Sequence, residues 1–427
     1  MSGLLGSLQT AKSGMSVSQT SIQTTSHNIN NMNTPGYSRQ RVQQSARSAY
    51  SYPGYNSSMG AGQLGTGVEA TDIIRIRNTF FDFQFRNESH NYGKVSTKSE
   101  YYTNMETIFN EPSDTSISSS LSNFFSSWNE ISKNPNDSGS KNTVVQNAKY
   151  LATNISNLKN KLEKLSSQAN DKINKNLNEI NDMVDQLRGL NKNIRIVEGS
   201  RKTPNDLLDE KDKVLDKLSY KFNIEDNNVK NLIEKKINDG TSITLEDIKA
   251  IGDVSGEIQG SIDMVDKINE YTSSIDDLSE GISNGINDVL GINFFEFDKK
   301  GSPSLKVNDD YLTDSNKLSV SSKVAGEIFR FKDKKMKIGN EPEITIDKFY
   351  NNIVQKLGNE AQEVIRNEKN QNKIINEIEN SRANVSGVLL DEEMVNLVQF
   401  QHAYNASAKV ISTIDSLLDV VINGLKR

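Results

Sequence analysis

From Lys141 to about Glu198 one apolar stripe runs without a break: Ala148, Leu151, Ile155, Leu158, Leu162, Leu165, Ala169, Ile173, Leu177, Ile180, Val184, Leu187 and Ile194. Steps of three and four residues put these side chains on one face of a single helix. A helix of about 58 residues is ~87 Å long at 1.5 Å per residue, far more than a compact domain can cover. The stripe therefore predicts an elongated body with this helix as its spine. Steps of four from Leu165 through Ala169 and Ile173 to Leu177 form a stutter, which locally unwinds a left-handed supercoil.

The two ends of the chain carry seams of the same kind. Between Leu389 and about Leu425, the positions Leu397, Phe400, Tyr404, Ser407, Ile411, Ile414, Leu418, Val421 and Leu425 alternate threes and fours. Between Leu4 and Met32 the seam is Leu8, Ala11, Met15, Ser18, Ile22, Thr25, Ile29 and Met32. The first seam is thin, because small and hydroxylated side chains bury little area at ~25 cal/mol per Å². Such a helix is marginal alone and needs a partner, so the two ends are expected to pair.

Between these helices the chain is punctuated. Pro35-Gly36 predicts a type II turn that ends the first helix. The stretch from Tyr50 to Gly67 reads as a loop, and Gly67 to Arg77 as one short strand followed by an N-cap at Asn78. Phe80, Phe81, Phe83 and Phe85 read as a core contact, flanked by Arg75, Arg77 and Arg86 with no acidic motif beside them. A helix from Ile117 to Ile131 would be capped by Asp114 or Thr115, and another spans Asn205 to Tyr220. Lys159, Lys161 and Lys164 read as a solvated face. Residues 256–290 and 349–382 read as helices, and 294–346 as a few strands or loops packed on them. Asp391, Glu392 and Glu393 open the last helix, where carboxylates favour the positive end of its dipole.

Composition narrows the function classes. The net charge is -6 with both signs interspersed, which leaves no nucleic-acid footprint. The absence of cysteine excludes disulfides and thiolate chemistry. No apolar run is long enough to span a bilayer, and the start of the chain lacks the features of a cleaved secretory signal, so membrane insertion is not expected and any export would follow another route. His27, His90 and His402 stand far apart, and no phosphate loop, nucleophile elbow or paired-carboxylate motif is present. No catalytic residue, cofactor or metal site is predicted.

Several strings carry a resemblance. Ser26 to Ser38, containing Asn33, Thr34, Pro35, Gly36 and Tyr37, resembles the N-terminal signature of flagellar rod, hook and hook-associated proteins, with Met32 where the group has Ala. The block from Ile108 to Leu218 resembles the hook-associated branch alone. So does Val385 to Val395, with Ser386, Gly387, Asp391, Glu392, Glu393 and Met394, followed by Phe400 to Ala408.

The resemblance implies a mainly α, elongated structural protein, with terminal helices forming an inter-subunit coiled coil and a long-helix body bearing a few short strands. It implies three parts: 1–45 with 385–427 as the terminal inner-tube domain, 46–222 with 256–384 as the body, and 223–255 as a reduced variable insertion. It further implies a location outside the cell at the hook–filament junction and assembly as a homo-oligomeric ring. The implied partners are the hook protein, a second hook-associated junction protein and, before secretion, an export chaperone. The assembly seam would be Leu8, Ala11, Met15, Ile22 and Ile29 with Leu397, Phe400, Tyr404, Ile411, Ile414, Leu418, Val421 and Leu425. A rod or hook subunit of the same group, or a cytosolic coiled-coil adaptor, remains an alternative on sequence.

Overall fold

The computed structural model describes residues 2–48, 65–300 and 303–424. Twelve helices are present among them: α1 (Ser2–Asn30), α2 (Thr79–Phe109), α3 (Ile117–Lys133), α4 (Ser138–Gly199), α5 (Asn205–Lys221), α6 (Asn227–Asp239), α7 (Leu245–Ile251), α8 (Gly256–Leu290), α9 (Asp309–Thr313), α10 (Ser322–Phe331), α11 (Ile346–Ser386) and α12 (Leu390–Asn423). Three two-stranded antiparallel sheets accompany them: β1 (Gln40–Ala46) with β2 (Val68–Arg75), β3 (Phe295–Phe297) with β4 (Leu305–Val307), and β5 (Met336–Ile338) with β6 (Glu341–Ile344).

The spine is α4, 62 residues long, or ~93 Å at the standard rise. Asp137 caps it by accepting from the Ser140 backbone N–H. Every position of the predicted stripe is buried. The helix threads two cores: its first half packs with α2, α3, α8, α10, α11 and the small sheets, and its second half with α5, α6 and α7. Residues 223–255 lie in the second core, where Val229, Ile233, Ile243, Ile248 and Val254 share contacts with Ile180, Val184 and Leu187. Trp128 and Phe124 of α3, fully buried, fill the first.

Several local expectations are corrected. Gln40–Ala46 is a strand that sequence reading missed, because only Val42 in it is a strong strand former; its pairing with Val68–Arg75 supplies the order. The cap of α3 is Ser116, which accepts from the Ser119 N–H. Among the four phenylalanines only Phe85 is buried; Phe80 and Phe83 stand out in solvent. Lys159 leaves the solvated face to lie buried, 2.8 Å from Asp276, while Lys161 and Lys164 are exposed. The loop expected around Pro53-Gly54 falls largely outside the described residues.

Candidate assembly surface

The terminal helices pair within one chain. Asn28 meets Glu393, and Gly14 lies against Ser407, so fourteen residues of α1 run antiparallel to fourteen of α12. On α12 the side turned to α1 is the predicted seam: Ile414 is buried, and Leu397, Phe400, Tyr404, Ile411, Leu418 and Val421 are half-buried. Leu425 falls outside the described residues. On α1 the buried stripe is displaced from the predicted one. Ala11, Ser18, Ser21, Thr25 and Asn28 are buried, whereas Leu8, Met15, Ile22 and Ile29 are half-exposed along the edge of that stripe. Small residues face inward because they let the helix backbones approach, and Gly14 leaves room for little more than Ser407.

A second stripe emerges on α12 that the seam analysis did not single out. Val395, Val398, Val410, Leu417 and Val420 are between 47% and 67% exposed, on a face that α1 does not cover. A helix apolar around most of its circumference belongs in an interior, and a contiguous exposed apolar strip marks an interaction surface. Its signal was present in the sequence, since steps of three, twelve, seven and three residues put these valines and Leu417 on one helix face.

Behind the helix pair lies a polar joint that ties it to the body. Thr34 to Tyr37 form the predicted turn: the Tyr37 N–H donates to the Thr34 carbonyl at 3.2 Å, and Gly36 holds φ of +84°. Asn33 is exposed, and so are Thr34, Pro35 and Gly36, which line an open cleft of about 290 Å³ together with Asp206, Asp209 and Lys213. The turn brings Tyr37 back so that its hydroxyl donates to Asn28 Oδ1 at 2.7 Å. Burial, then the charges of Asp206, Asp209 and Glu393, raise the Tyr37 pKa and keep that hydroxyl protonated.

From Asn28 the joint branches in two directions. Towards α12, Asn28 donates to Glu393 Oε2 at 3.0 Å, and Arg39 reaches Glu393 at 2.7 Å and Glu392 at 2.8 Å. Glu393 is only 2% exposed. Ser386 and Gly387 pass beside it, the Ser386 carbonyl accepting from Arg39 N–H at 2.9 Å. Asp391 and Met394 are exposed.

Towards the body, Ser38 donates twice to Asp209, from its N–H at 2.9 Å and its hydroxyl at 2.7 Å. Asp209 also accepts from Arg75, which reaches Asp212 at 2.9 Å. Arg86 joins Asp212 at 3.0 Å to Asp216 at 2.9 Å, and Arg77 grips Asp82. Arg382 of α11 closes the chain on Asp216 at 2.6 Å. Burial alone would raise the Asp212 pKa, but Arg77, Arg75 and Arg86 outweigh it and hold that carboxyl below the usual range. Apart from Asp82, the acidic partners of these arginines come from one face of α5, where Asp209, Asp212 and Asp216 step by three and four.

The described residues contain no cluster of three or more metal-ligating side chains. The arrangement is a helix pair with an exposed apolar face, tied by hydrogen bonds and ion pairs to a long body.

Comparison with known proteins agrees. The flagellar hook-associated protein FlgK helical domain matches residues 102–232, the flagella basal body rod protein model matches 8–37, and the flagellar basal body rod FlgEFG protein C-terminal model matches 380–424. Flagellar hook-associated protein 1 of Bacillus subtilis is 28% identical, the alignment covering 98% of each chain. Over nearly its whole length the chain is similar to flagellar hook-associated protein 1. The Salmonella typhimurium hook-associated protein 1 is 28% identical over 50% of this chain and 38% of its own length. The solved flagellar hook junction protein FlgK from Burkholderia pseudomallei superposes with a TM-score of 0.41 at 14% identity, over 50% of this chain and 46% of that one. The matched models and relatives are flagellar structural proteins, and the chain is a structural flagellar component, not an enzyme. The rod-type models match its two ends, and the FlgK helical-domain model matches part of the body between them.

Proposed function

We propose that this chain joins hook to filament in a bacterial flagellum, and that it does so as a ring of copies packed through α1 and α12. The observation that carries the reading is the uncovered stripe Val395, Val398, Val410, Leu417 and Val420. In the ring, this face meets the half-exposed edge of α1 in a neighbouring copy, formed by Leu8, Met15, Ile22 and Ile29. Both strips run along the same pair of helices, so successive copies can repeat one contact. The hook protein bounds the ring on one side and a second hook-associated protein on the other. The division into a terminal tube-forming part (1–45 with 385–427), a body and the small 223–255 segment follows from this reading.

Export precedes assembly in this scheme, through the flagellar export apparatus. Meanwhile a chaperone takes the place of α1 on the inner side of α12, using a groove that accepts Leu397, Tyr404, Ile411 and Leu418. Locating the protein in sheared flagella, as against the cell body, tests the main claim. Recovery from the cell body alone would overturn it. For the chaperone step, Ile411→Asp with Leu418→Asp places two charges in the groove, and unchanged affinity would remove that step.

A further inference from the structure

We propose that Glu393 is the register pin of the terminal helix pair: its buried carboxylate fixes where α12 sits along α1. The apolar seam by itself selects register poorly. The α1 face is made of Gly14, Ser18, Ser21 and Thr25, and sliding α12 by one turn sets the same apolar side chains against equally small ones. Packing differences between such arrangements are slight, because small residues bury little area in either.

Glu393 breaks this degeneracy. Within the described residues of α1 and α12 it is the one buried charged side chain. It is satisfied from two sides, by Asn28 at 3.0 Å and by Arg39 at 2.7 Å. Neither partner can follow a slip. Asn28 also donates to the Gln40 carbonyl and accepts from the Gln40 N–H, which ties it to β1. The Arg39 backbone bonds to Ser386 and Ile76. A displacement of one turn would set Glu393 opposite Thr24 or Met32 and strip it of both partners. A buried ion pair contributes little net stability but penalises any arrangement that strands one member, which is the setting in which polar groups specify coiled-coil register.

The chain contains no cysteine, so register can be read by engineered crosslinks. Ser407→Cys is combined in the full-length chain with Gly14→Cys, which reports the observed register. Thr10→Cys and Ser18→Cys, one turn to either side, report slips. With Glu393 in place, the 14–407 crosslink should exceed each slipped crosslink by about tenfold or more, the scale set by stranding a buried charge. In Glu393→Leu combined with Arg39→Met, an apolar replacement that keeps the pair folded, the three crosslinks should form to within about threefold of one another, since the penalty on slipping is gone. Glu393→Gln, which retains the hydrogen bond from Asn28, should fall between them.

Thermal melting of the uncrosslinked chains shows whether the double variant is folded. If it is folded and still crosslinks only at 14–407, Glu393 is not the pin. Should the double variant unfold, the Glu393→Gln chain decides, and an undiminished preference there overturns the proposal. This test does not rest on the flagellar reading, because it concerns pairing within one chain.

Discussion

Asp212 shows how much of the joint depends on a few charges. It lies between Arg75 and Arg86 with a side chain 18% exposed, so Asp212→Ala leaves two guanidinium groups short of a partner. Arg75 keeps Asp209 and Arg86 keeps Asp216, so the expected loss is about 1.5 to 3 kcal/mol, that of hydrogen bonds to a charged group, and urea denaturation measures it. Acid acts on the same group. Its folded pKa lies below the ordinary aspartate value, so its stabilisation is complete above about pH 4 and is lost as pH falls through the folded value. Melting temperatures taken from pH 6 down to pH 2 should drop more steeply for the native chain than for Asp212→Asn. Parallel curves would show that Asp212 carries no such linkage. The arginines were visible in the sequence, and of their partners only Asp82 lies close to them along the chain. Arg75 and Arg86 reach acids 126 to 137 residues further along the chain, and no local pattern announces a contact of that range.

Among the elements, α4 was fully legible, because a one-faced stripe of that length admits one conformation. The strand Gln40–Ala46 was not, since its order comes from a partner and not from its own composition. Glycines inside helices were also opaque. Gly93 sits within α2, where propensity alone would favour alanine. A Cβ there would collide with the Tyr220 carbonyl at the end of α5. Gly93→Ala should therefore destabilise by about 1 to 3 kcal/mol, the cost of overpacking. A gain in melting temperature would contradict that packing. In the first core, Leu162→Ala should cost about 2 to 5 kcal/mol, because the residue is fully buried and the long helix cannot collapse around the gap. Chemical denaturation checks it. The terminal seams were half legible: the α12 stripe lies where its spacing put it, while α1 turned its small residues inward and left its larger ones at the edge.

For the whole molecule, one spine joins two cores, and a joint of hydrogen-bonded charges carries the helix pair. The separation of roles follows from which surfaces are covered. The inner side of α12 is occupied within the chain, so its outer side is the one free to hold a neighbour. Val395→Asp with Leu417→Asp places two carboxylates on that outer face, away from α1. The direct test is to express this double variant in place of the native chain and score hooks bearing filaments in electron micrographs, with the 14–407 crosslink as a check on folding. The account predicts that the crosslink forms as before while hooks lose their filaments. Filaments of normal number and length on cells carrying the folded variant would contradict it.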